Sequence, residues 1–487
     1  MRSNVMIQQA PVLKYLSQDQ MEDIHLCGLE ILEHTGVQVY HQEALSLLKS
    51  AGACVEGTLV RIHEGLVKQA LSTVPSRIAL ANRDGERCIF LEARRSYFGT
   101  GSCCPYTIDP FTGARRLGNK NDVANMAKVC DYLPNLDFVM STNLVQDKYP
   151  EIGYIHEFDA MVRNTRKPII MSLQDAQNCR DIIEMAEAVM GGPEELRKKP
   201  LLAVYSETTS PLRHAEDALG KVLVCAEKWV PIIHTVGQLS GATSPVTMAG
   251  ALAQANAELL SVLVIHQLKQ PGAPFLYGGT ITPIDMRTMA HPYGAPEFHV
   301  FSAALTELGV DYYKIPVFST GGCSDAKTFD EQAAAEATYS LLLSALAGGN
   351  LIHDIGFIDS GLTSSLAEIV FSNEIIELIK HVVRGLAWGQ DELALDVIHR
   401  VGPGGHFLAE EHTLKYFRGI YAPQLLTRQS FDTWKNEGGK TLGNKVEDKV
   451  RQILQEYAPK QVAPDVDGKL KDLYQRYVAE AKKRHGH

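Results

Sequence analysis

Between residues 96 and 357, eight short apolar runs, each ending in small or polar residues, alternate with stretches of helical periodicity. The runs are residues 96–102, 136–143, 168–173, 201–207, 231–237, 274–279, 315–322 and 350–357. Uninterrupted apolar strands are buried on both faces, and strands separated by helices pair in parallel. Eight such units close a (β/α)8 barrel, so the fold is read as an α/β TIM barrel. An open doubly wound sheet is the alternative, but the first strand lacks the GxGxxG turn of a dinucleotide fold.

The barrel is assigned to residues 95–375, with a mainly helical extension over 1–94 and a C-terminal helical segment packed on it over 376–487. In the extension, Ser17 and Gln20 form a capping box, and Met21, Ile24, Gly28 and Ile31 recur at helical spacing until Gly36. Further helices are expected over residues 42–50, 64–71 and 248–268. The charged tail, residues 471–487, reads as a solvated terminal helix.

A net charge of −10 without a run of Lys or Arg argues against nucleic acid or an anionic membrane as partner. Nine scattered cysteines make no disulfide framework, the first 17 residues lack the apolar core of a signal peptide, and no uncharged apolar stretch is long enough to span a membrane. A soluble, reduced, cytoplasmic protein is expected.

Barrel enzymes carry their chemistry at the C-terminal ends of the strands. Those ends supply Ser102 with Tyr106 beyond it, Tyr205 and Glu207, His234 leading to Gln238, Tyr277, Cys323 with Asp325, and His353, Asp354 and Phe357. Several rings at one mouth suit a quaternary ammonium, which binds by cation–π contact. The scarcity of Arg and Lys disfavours a phosphorylated substrate. Any one of these rings equally well packs outward as core, and Asp325 equally well caps a helix. Neighbouring strand residues face opposite ways, so His353 is taken to face the substrate and Asp354 to be structural.

Metal signals are weak: His25 and Cys27 lack a third ligand, and Cys103, Cys104 and Cys323 meet only if the mouth gathers them. HExxH, GxSxG and P-loop motifs are absent, and the glycines of GPGGH (402–406) read as a turn.

Residues 237–260, 277–288 and 321–376, with 99–116 and 402–418, resemble the trimethylamine methyltransferase family, in the family's order and over almost the whole chain. The resemblance implies a TIM barrel that presents a methylated amine to the Co(I) corrinoid of a partner protein, with no cofactor bound tightly to the barrel itself. Founding members carry pyrrolysine, and this sequence has only standard residues. Members without pyrrolysine act on quaternary amines, which leave as neutral amines and need no electrophile. Glycine betaine and proline betaine are the leading substrates; carnitine, γ-butyrobetaine, or a non-catalytic betaine-binding barrel are the alternatives.

On that reading the N-methyl group sits in a cage drawn from Tyr97, Phe98, Tyr106, Tyr205, Tyr277 and Phe357. Glu207 supplies compensating charge and Asp325 lines the pocket, while His234, Gln238 or His353 meets the carboxylate; His353 and Glu207 are the expected catalytic pair. His406 and His412 resemble family positions that shape the mouth where the corrinoid protein docks. A homo-oligomer is also expected.

Overall fold

The computed structural model describes residues 11–485; the reading of the first ten residues lies outside them. Eight parallel strands form the central sheet: β1 (Tyr97–Thr100), β2 (Val139–Met140), β3 (Ile169–Ser172), β4 (Leu202–Glu207), β5 (Ile232–Ser240), β6 (Phe275–Pro283), β7 (Val317–Thr320) and β8 (Leu351–Ile355). Each overlaps one of the eight apolar runs. They neighbour one another in sequence order, and β8 pairs with β1. A parallel bridge between Gly99 and Phe138 closes the ring between β1 and β2. Position 99 has to be glycine there, because a β-carbon would stand 2.4 Å from the Phe138 ring.

Helices α1 (Lys120–Tyr132), α2 (Gly153–Asn164), α3 (Ala176–Met190), α4 (Glu216–Lys228), α5 (Met248–Lys269), α6 (Pro296–Glu307), α7 (Glu331–Ala347) and α8 (Leu366–Val383) follow the strands in turn. Residues pointing outward from the strands join the helices in the main core. Inward-pointing Phe138, Met140, Ile170, Ile233, Leu276 and Phe318 fill the barrel. Each such side chain stabilises by about 1.5–3 kcal/mol when withdrawn from water.

A hairpin of Ile78–Ala81 and Arg87–Leu91 seals the lower end and adds Ile78, Leu80, Ile89 and Leu91 to that inner layer. Its backbone bonds the segments that enter the strands, Ala81 N–H donating to the Pro200 carbonyl at 2.7 Å and Arg83 N–H to that of Arg166 at 2.7 Å. Among the described residues, the C-terminal ends of the strands are therefore the open face of the ring.

The N-terminal helix Gln18–Glu30 carries the Ser17–Gln20 capping box, and it packs with Glu64–Thr73 on α5. This cover explains why α5 is buried along most of its length, its polar Gln254, Asn256 and Glu258 included. It is the one helix, among the described residues, long and apolar enough to cross a membrane, and 83% of its most apolar window is buried. At the C-terminus, helix Leu442–Glu456 docks on α1 and α8. The last helix, Pro464–His485, departs from the expected solvated tail: Leu470 and Tyr477 are buried, and the Tyr477 hydroxyl donates to Glu184 Oε2 at 2.7 Å.

Candidate active site

Alternation along β4 sends Ala203, Tyr205 and Glu207 into the barrel, while Ser206 turns outward and bonds the Ala218 carbonyl on α4 at 3.0 Å. Tyr205 packs its ring 5.9 Å from that of Phe318. Glu207 is surrounded by protein and yet keeps much of its surface accessible, the condition of a side chain that lines a cavity. On β5 the facing residue is Gly237, where a β-carbon would stand 1.8 Å from Glu207 Oε1. Burial raises the Glu207 pKa, against the lowering effect of the Tyr205 hydroxyl and of Lys221. Burial and the Glu207 charge hold the Tyr205 hydroxyl well above its ordinary value.

Across the mouth, the His353 ring lies 4.0 Å from that of Phe318. Its Nδ1 is 2.8 Å from the Ser319 carbonyl and its Nε2 is 3.1 Å from Asp354 Oδ1. Both ring nitrogens are engaged by oxygen atoms, which fixes the ring across the mouth. Asp354 breaks the alternation assumed from sequence. With φ at +80° and a register shift between Ile352 and Ile355, β8 turns so that both neighbours face the mouth. The Thr320 hydroxyl donates to the other Asp354 oxygen.

Two further groups, Tyr293 and Lys221, complete the rim, both absent from the sequence reading. Tyr293, on the segment after β6, stacks on Phe298 with ring centroids 5.0 Å apart, and both join Cys104, Cys323 and Phe357 in one apolar cluster. Asp325 holds this segment by accepting from the Tyr293 and Gly294 N–H groups at 2.8 Å each and from Ser360 Oγ at 2.7 Å. Lys221 reaches in from α4, and its Nζ donates to the Leu173 carbonyl, just past β3, at 2.6 Å. It was legible as the lone lysine in the apolar stretch 218–226, and Tyr293 as an aromatic in the Gly- and Pro-bearing stretch 291–296. Nearby, burial pushes Glu157 up to about 8.

The structure thus brings Tyr205, Glu207, His353 and Phe357 together and sends most of the other expected residues elsewhere. Tyr97 faces the sealed lower end, where its hydroxyl accepts from Phe90 N–H at 3.1 Å, and Phe98 points outward into the main core. Tyr106 lies on a small sheet above the barrel with the Arg115 guanidinium 3.6 Å from its ring centroid. His234, Gln238 and Tyr277 are one residue out of phase with the lumen and face the helices. They meet Thr208 Oγ1 at 2.9 Å, Glu258 Oε2 at 3.1 Å and Asn256 Oδ1 at 3.0 Å. Burial drives the His234 pKa well down, so this ring stays neutral. Asp325 supports a loop and does not line the cavity. His406 is exposed on the segment beyond α8, and His412 bonds the Asp391 carbonyl at 3.0 Å within that segment.

Cys104 and Cys323 do meet at the mouth, where burial raises both thiols well above their ordinary values. His25 Nδ1 is 2.9 Å from the Tyr313 hydroxyl and Cys27 is exposed. Among the described residues no group of three metal-binding side chains occurs.

A family profile described as trimethylamine methyltransferase (MTTB) matches residues 1–484. The chain belongs to the trimethylamine methyltransferase family. Within the family it is 33% identical to trimethylamine methyltransferase MttB of Desulfitobacterium hafniense (strain DSM 10664 / DCB-2) over 94% of this chain and 92% of that one. It is 30% identical to the glycine betaine methyltransferase of Desulfitobacterium hafniense (strain Y51) over 98% and 99%. Among solved structures, monomethylamine methyltransferase of Methanosarcina barkeri resembles 91% of this chain and 88% of its own, at 12% identity and a TM-score of 0.48. As a member of this family the chain is a methyltransferase.

Proposed function

We propose that this chain takes an N-methyl group from a betaine-type quaternary amine and delivers it to the corrinoid of a partner protein. The observation that carries the reading is Glu207, held beside Tyr205 and over Gly237 so that its carboxylate faces a cavity rimmed by Tyr293 and Phe357. A quaternary ammonium offers no N–H to a hydrogen-bond acceptor. It is bound by negative charge and ring faces, and this mouth supplies both.

Glu207 places a carboxylate at the mouth and Lys221 an ammonium group. A betaine is a zwitterion, so its ammonium would lie toward Glu207 and its carboxylate toward Lys221. A plain methylamine has no group for Lys221. When docked, the Co(I) corrinoid supplies the nucleophile: a cobalt–carbon bond forms, the methyl C–N bond breaks, and the electron pair stays on the departing neutral amine. The chain's own residues hold the methyl group toward the open face and exclude water from it, which is a task of orientation. Glycine betaine and proline betaine are the favoured substrates.

The test follows Co(I) conversion to methyl-Co(III) by absorbance, with a reduced corrinoid protein and a panel of betaines, carnitine and trimethylamine. Methylation by a betaine and not by trimethylamine is expected. Turnover of trimethylamine alone would overturn the substrate class, and tight betaine binding without turnover by any competent acceptor would overturn the transfer.

A further inference from the structure

Lys221 is 7% exposed, and among the described residues its Nζ bonds the Leu173 carbonyl and pairs with no carboxylate. Two of its three N–H groups are left over. A buried ammonium without an anion is costly, and here the missing anion has a place to sit.

The corner beside Lys221 is built from small polar side chains. Cys103 follows β1 with φ at +70°, and its N–H donates to the Ser141 carbonyl, just past β2, at 3.0 Å. Its side chain is enclosed by protein and still partly accessible, the condition already met at Glu207. The thiol meets the hydroxyls of Ser102 and Ser172, and the Lys221 ammonium acts on it through space. Both serines are themselves partly accessible. Ser172 ends β3 two residues after lumen-facing Ile170, so it faces the lumen too. It lies in register with Tyr205 on β4, one strand spacing of about 4.8 Å from the wall that carries Tyr205 and Glu207. Behind the thiol, burial pushes Glu157 up to about 8, so that side chain sets no charge against an incoming carboxylate at neutral pH.

We propose that Ser102, Cys103 and Ser172 form, with Lys221, the subsite that holds the carboxylate of the substrate and favours a betaine over an amine that lacks one. This rests on the betaine reading above and names the residues that would enforce it. A carboxylate offers about four acceptor positions. The two spare N–H groups of Lys221 meet one oxygen, and the serine hydroxyls, with the thiol between them, meet the other. The ammonium then points along the wall toward Glu207, one strand away.

Kinetics with glycine betaine and a Co(I) corrinoid protein test the serine. In Ser172→Ala we expect KM to rise about tenfold with kcat nearly kept, because a hydrogen bond to a charged group is lost. Ser172→Thr keeps the hydroxyl and should stay near the unmodified value. An unchanged KM in Ser172→Ala overturns the proposal, as does an equal rise in Ser172→Thr. A second measurement needs no turnover. The full chain is treated with methyl methanethiosulfonate, a small neutral thiol reagent, and modification of Cys103 is read by peptide mass spectrometry. Glycine betaine should protect Cys103 at a concentration about tenfold lower than tetramethylammonium, which has the cation and no carboxylate. Lys221→Met should abolish that advantage. Equal protection by the two compounds, or none by either, overturns the subsite, and this comparison decides even if the variants do not fold. Preferential protection without methyl transfer from any betaine would support the subsite and overturn the transfer reading instead.

Discussion

A β-carbon at position 237 would enter the space of Glu207 Oε1, so this glycine is what lets the carboxylate stand in the cavity. Gly237→Ala pushes only the end of a flexible side chain, and the barrel should fold. A carboxylate displaced by about 1 Å costs ~100-fold in a reaction that depends on orientation. The expected result is kcat/KM down by about that factor with an unchanged circular dichroism spectrum; full activity would remove Glu207 from the substrate. Glu207→Gln keeps the shape and deletes the charge, and we expect a loss of ~100- to 1,000-fold. The raised pKa of Glu207 adds a pH signature. Protonation removes the charge that binds the cation, so betaine KM should fall as pH rises through that raised value. A flat KM profile in the unmodified chain would contradict this.

At the scale of elements, one-residue phase decides function. Tyr97 and Phe98 are adjacent on β1, and neither reaches the mouth: the first faces the sealed end and the second faces the helices. Tyr97→Phe should therefore cost about 1 kcal/mol of stability for the lost bond from Phe90 N–H and leave methyl transfer unchanged. A large loss of turnover would return Tyr97 to the site. The segment carrying Tyr293 has no regular structure and depends on Asp325 for its shape. In Asp325→Ala we expect betaine KM to rise several-fold with kcat nearly kept; an unchanged KM would separate Tyr293 from substrate binding.

At the scale of the whole molecule, buried carboxylates set the response to pH. Burial pushes Glu368, on α8, up to about 8, and Glu157 likewise. Their folded pKa lies above the unfolded one. The stability they contribute is therefore present in full below the ordinary glutamate range and is lost as pH rises through about 8. Melting temperature should fall between pH 5 and pH 9, and Glu368→Gln, which stays neutral, should fall less steeply. Parallel curves for the two proteins would rule out Glu368 as a cause.

The sequence by itself determined the barrel, because eight double-sided apolar strands separated by helices bury their surface in few other ways. It also determined the Ser17 cap and the candidacy of Tyr205, Glu207, His353 and Phe357, since strand ends are where a barrel exposes its chemistry. Only the tertiary structure decided which residues of each strand end face the lumen. Phase depends on the register of neighbouring strands, and at Asp354 on a left-handed backbone turn that no alternation rule anticipates. Tyr293 and Lys221 enter the site from a loop and from a helix, and their places follow from long-range contacts with Asp325 and Leu173. Local pattern fixes what a segment becomes; distant packing fixes what it touches.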